Sequence, residues 1–139
     1  MKLCNDTITV FNARVDPDEG GNVWVPTVIT GASWYLTDAA TVDASKGGLV
    51  AANKATIRIP VEAGTGGKQY TDPVSYASAE DVSNLWTLKG GDIVVKGEVV
   101  GADWTPAELK AAYADCVTIL GVTDNRRAPK GKHWRITGT

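Results

Sequence analysis

Short runs of β-branched and aromatic residues, each closed off by glycine or proline, recur along the chain and leave no room for a long helix. Fifteen glycines and six prolines among 139 residues supply the breaks. Such a chain must build its core from many short strands joined by turns. Thr7-Ile8-Thr9-Val10-Phe11 alternates as a half-buried strand does. Asp16-Pro17-Asp18-Glu19-Gly20-Gly21 is a turn, and Val23–Ile29 answers as a second strand whose Pro26 marks an edge or a bulge. A break at Gly31 precedes a third strand, Trp34-Tyr35-Leu36-Thr37. Ala55–Pro60 alternates cleanly, and Ile93–Val100 is the most strand-like run. Cys116–Val122 is expected to pair with Trp134–Thr137 across the polar loop Asp124–Gly131.

Helix signals are few. Thr105-Pro106-Ala107-Glu108 places Thr at the N-cap, Pro at the first helical position and Glu at the third, a capping box that predicts a short helix through Ala114. Ser78-Ala79-Glu80-Asp81 predicts a second short helix with Ser78 as its N-cap. Residues 38–53 and 61–75 are small, polar and glycine-containing. Both are expected to be long loops, mobile until a partner orders them. The expected fold is mainly β, a small barrel or sandwich with one or two short helices and two long loops, in a single domain over residues 1–139.

The formal charge of −2 and pI near 5.3 give no footprint for tight nucleic-acid binding. Charge is unevenly spread, however. Residues 124–139 hold Arg126, Arg127, Lys130, Lys132 and Arg135 against Asp124, a net +4 that leaves −6 on the rest. That layout suits head-to-tail contact between acidic and basic faces, and equally a solubilised terminal hairpin. No run approaches the roughly 18 apolar residues of a membrane-spanning helix, and the amino terminus lacks an apolar secretory core. A soluble product is therefore expected. Cys4 and Cys116 are far apart in sequence; they could pair were a first and a late strand adjacent, and buried free thiols are the expectation.

Residues that could carry chemistry are sparse. His133 is the one histidine, and no nucleophile motif accompanies it. One His and two distant Cys are a poor ligand set for zinc. Gly64-Thr65-Gly66-Gly67-Lys68 departs from a phosphate loop, because Glu62 stands where the first glycine belongs and Gln69 follows the lysine. The Asp16–Gly20 turn lacks the downstream glutamate of a calcium loop. Neither catalytic residues nor a cofactor are expected. Five tryptophans, Trp24, Trp34, Trp86, Trp104 and Trp134, are the unusual feature. Most should be core, with Trp104 the best candidate to meet a partner.

The order of these segments resembles the small neck proteins of tailed bacteriophages, specifically the head-closure (stopper, or head–tail joining) family. Three elements carry the likeness: the Thr56-Ile57-Arg58-Ile59 strand, the Gly91-Asp92-Ile93-Val94-Val95-Lys96-Gly97 strand, and a last strand following Ile119-Leu120-Gly121-Val122. Residues 38–53 and 99–114 look longer or more helical than in the simplest members. A stopper, a tail terminator and another minor virion protein all stay open. The resemblance implies a homo-oligomeric ring of six or twelve copies between portal or adaptor and tail. It also implies DNA passing only through the channel, no membrane, and a virion location after synthesis in the bacterial cytoplasm. Trp24, Trp34, Lys46, Lys68, Trp104, Arg126, Arg127 and Trp134 are the candidate subunit contacts. The competing readings are a carbohydrate-binding β-sandwich using an exposed Trp104 or Trp34, and a small hydrolase built around His133.

Overall fold

Strand pairing in the computed structural model joins the β-branched runs into one closed circuit. Residues 4–16, 18, 20–43, 48–101 and 104–139 are described, with the backbone alone at 36–43 and 48–53. The elements are β1 (Asp6–Val15), β2 (Asn22–Asp43), β3 (Gly48–Pro60), β4 (Gln69–Tyr70), α1 (Pro73–Ser78), β5 (Leu85–Trp86), β6 (Ile93–Lys96), α2 (Pro106–Ala112), β7 (Cys116–Asp124) and β8 (His133–Gly138). Six strands pair in the order β1-β2-β3-β8-β7-β6, and β6 returns antiparallel to β1. The barrel is irregular, because closure passes through the short β6.

Two cores follow from the alternation of side chains across this wall. Ile8, Val10, Ile29, Ile57, Ile59, Val94, Val117, Ile119 and Ile136 point inward and fill the barrel with Trp34, Trp86 and Trp134. Their neighbours Phe11, Ile93 and Val95 point outward and pack with Val99 and Leu109 of the α2 region, flanked by Trp24, Trp104, Tyr113 and Cys116. The β6 wall is therefore buried on both faces, which explains why Ile93-Val94-Val95 is apolar without alternation. The strand is shorter than the apolar run suggested. Gly97, with φ of 104°, turns the chain away, and the Thr9 hydroxyl donates to Gly97 O at 2.7 Å while accepting from Val99 N–H at 3.0 Å.

The Thr105 capping box is present. Its hydroxyl accepts from Glu108 N–H, and the Glu108 carboxylate accepts from Thr105 N–H. The helix ends at Ala112 rather than Ala114. Replacing Thr105 by Ala should lower stability by about 1 kcal/mol. A urea titration would show it as a shifted midpoint with unchanged slope.

Four expectations are corrected. Gly31 does not break a strand: with φ of 83° it forms a bulge that lets β2 leave β1 and continue along β3. Residues 38–43 and 48–53 are strand rather than loop. Asp38↔Asn53 through Asp43↔Gly48 are paired, so β2 and β3 run on beyond the barrel as a two-stranded ribbon. The weak strand formers there hid the pairing, since the ladder hydrogen bonds come from the partner strand and not from composition.

Ser78 ends α1 rather than capping its start. Asp72 is the N-cap, its carboxylate accepts from Ser75 N–H at 2.9 Å, and Pro73 occupies the first turn. The 61–75 segment does not project. Thr30 and Gly64 exchange two backbone hydrogen bonds, and the Lys68 ammonium donates to Pro26 O and to the Thr27 hydroxyl along the outer edge of β2. Residues 61–91 thus close one end of the barrel, with Tyr76, Val82, Trp86 and Leu88 buried.

Candidate functional site

Strand directions decide which surfaces share an end. β1 is antiparallel to β6 and β6 to β7, so β1 and β7 run the same way. Their hairpin turns, residues 16–21 and 125–132, therefore emerge at the same end. In the circuit β3 separates these hairpins on one side and β6 on the other, placing them on opposite flanks. The ribbon leaves from the other end, because Pro60 of β3 pairs with His133 whereas Ala55 pairs with Gly138.

The basic flank is built on a local turn. Arg126 N–H donates to Asp124 Oδ1, and the Arg126 side chain folds back on the same carboxylate. Its Nε lies 2.9 and 3.0 Å from the two oxygens, and Nη2 lies 2.6 Å from Oδ2. The pair is exposed, so it adds little to stability. It does orient the guanidinium, whose carbon lies 4.9 Å from the Tyr70 ring centre and 5.2 Å from that of Trp134. Behind it Tyr70, Trp86 and Trp134 pack with centroids 4.6–5.2 Å apart.

The Arg126 guanidinium holds the Asp124 carboxyl below its ordinary range, and Asp124 in turn raises Arg126. Burial pushes the Tyr70 hydroxyl up. Beside this cluster is an open depression of about 580 Å³, lined among the described residues by Asp124, Arg126 and Arg127. Arg127, Lys130, Lys132 and Arg135 are exposed. Such a surface can hold an anionic group.

His133 is engaged within its own hairpin. Its Nδ1 lies 2.5 Å from Gly131 O and its Nε2 3.3 Å from Asn125 Nδ2. Both ring nitrogens therefore meet groups of the same hairpin. Among the described residues, no group of three or more His, Cys, Asp or Glu side chains converges as metal ligands would.

The opposite flank is acidic. Asp18 N–H donates to Asp16 Oδ1, and Gly20 N–H to Asp16 O. Arg14 donates to Ala79 O, which brings the exposed Glu80 and Asp81 to this end of β1.

The residues singled out from sequence have separate fates. Arg126, Arg127 and Trp134 come together. Trp134 and Trp34 are 5% and 7% exposed and belong to the barrel interior. Trp24 and Trp104 are half-buried around α2, where the Trp104 indole N–H donates to Val100 O and its ring meets Tyr113 edge-on. Lys68 sits on the β2 edge, its pKa lowered by burial. Lys46 lies outside the described residues. Cys4 and Cys116 are half-buried, and burial raises the Cys116 thiol. Tyr70 and Asp124 had not stood out: Tyr70 reaches the terminal hairpin only through the fold, although the Asp-x-Arg spacing at 124–126 was a usable sign of a side chain folded back on its neighbour.

No curated protein and no solved structure matches the chain. A family model does: residues 3–139 match the family of unknown function DUF6751, and the chain belongs to that family.

Proposed function

We propose that this chain is a structural subunit of a phage or prophage head–tail connector. It forms a homo-oligomeric ring between portal or adaptor and tail, through which DNA passes. The observation that carries the reading, beside the resemblance in segment order, is the β2–β3 ribbon. Among the described residues, 37–43 of β2 pair only with β3, and 48–54 of β3 only with β2. Both outer edges of the ribbon therefore offer main-chain donors and acceptors. A lone two-stranded ribbon is marginal in water, and this one is rich in Ala, Thr, Asp and Gly. Pairing with the ribbon or barrel edge of a neighbouring copy satisfies those groups and links subunits.

Native mass spectrometry of the full chain tests the proposal. A single cyclic species of defined copy number is expected, shifting to monomer when residues 38–53 are replaced by an Asn-Gly turn while the melting temperature of the barrel is kept. A wild-type chain that stays monomeric at every concentration and salt would sink the reading.

A further inference from the structure

We propose that neighbouring copies join head to tail, the acidic flank of one barrel (Asp16, Asp18, Glu80, Asp81) seated against the basic groove (Arg127, Lys130) of the next. The inference rests on the ring reading and names the faces that set its handedness and register.

Three observations carry it. The first is position: both surfaces emerge from the same barrel end but from opposite flanks, since β1–β2 and β8–β7 are separated by β3 on one side and β6 on the other. Two different surfaces placed this way make a heterologous contact, which propagates from copy to copy and closes into a ring when the rotation permits. Two identical faces would instead give a closed dimer.

The second is charge. The carboxy-terminal hairpin carries +4 and the rest of the chain −6, so a partner that suits the hairpin is already available as a second copy. The third is the state of the basic groups. Arg126 is already matched by Asp124 and stacked on Tyr70 and Trp134, which makes it a fixed floor. Arg127 lines the open depression, and Arg127 and Lys130 are exposed to an incoming carboxylate. Exposed charge pairs orient partners more than they bind them. The ribbon supplies the bulk of the association and this contact selects the neighbour's register.

A charge-exchange experiment on the full chain tests the pairing. The basic face is reversed in one variant (Arg127→Glu with Lys130→Glu) and the acidic face in another (Asp18→Lys with Glu80→Lys). None of these four side chains belongs to the core, so both variants should melt as wild type does. Sedimentation velocity at low salt should show each variant alone associating at least about tenfold more weakly than wild type, because like charges now meet. The equimolar mixture should recover association, since each reversed face finds an opposite one. Raising the salt should narrow the difference.

Wild-type rings with both variants assembling as tightly would overturn the pairing and leave the ring intact. Weakened variants whose mixture fails to recover would also overturn it. A monomeric wild type would remove the ring reading and this inference together.

Discussion

Truncating Trp86 to alanine should cost about 3–5 kcal/mol, a large share of the 5–15 kcal/mol that holds a typical domain together. Trp86 is 2% exposed and stands between the barrel interior and the 61–91 cap. Its ring meets Tyr70 at 5.2 Å and Trp134 at 5.1 Å, both nearly edge-on. Removing it leaves a cavity that the surrounding strands cannot close, because β5 and β8 are held by their own ladders. It also frees Tyr70 and Trp134, the rings beneath the Arg126 guanidinium. Trp86→Phe keeps most of the volume and should cost clearly less. Urea unfolding of the two variants measures this, and a loss below about 1 kcal/mol for the alanine would show that the cap is no part of the core.

The second large effect concerns a buried polar knot. Asn12 is fully buried, and its amide donates to Thr87 O at 2.6 Å and to Asp92 Oδ2 at 2.9 Å, while its carbonyl accepts from Thr87 N–H at 3.2 Å. Asp92 Oδ1 also accepts from Ala13 N–H at 3.1 Å. Replacing Asn12 by Ala leaves three buried groups without their partner and should cost about 2–4 kcal/mol.

The deficit should depend on pH. Burial holds the Asp92 carboxyl above its ordinary range, opposed by the hydrogen bonds from Asn12 and Ala13 that favour the ionised form. A raised folded pKa means that the favourable contribution is fully present below the unfolded pKa and is lost as pH rises through the folded one. Losing the Asn12 donor raises the folded pKa further. The variant should therefore lag wild type more above the folded pKa of Asp92, where the carboxylate is ionised, than below it, where the folded state holds the proton. An equal deficit on both sides would show that the bond to the ionised carboxylate is not the cause.

Both effects lie where the chain packs residues distant in sequence, and neither was legible as such. Trp86 stood out only as one of five tryptophans, and Asp92 only as part of the Gly91–Gly97 strand motif. What joins Asp92 to Asn12 is the β1–β6 pairing that closes the barrel.

What the sequence determined by itself is local. The amino-terminal and carboxy-terminal hairpins, the Ala55–Pro60 strand and the Thr105 cap all arise from side-chain alternation, turn residues and hydrogen bonds within a few positions. The uneven charge of the carboxy-terminal segment was also plain from the residues alone. The tertiary structure decided which charges share a barrel end, that 61–91 caps the barrel, and that 38–43 pair with 48–53 as a ribbon. Each of those outcomes depends on main-chain hydrogen bonds and packing supplied by a strand remote in sequence. Composition does not encode the partner of a strand, and for the Ala- and Thr-rich ribbon the partner is what makes it a strand.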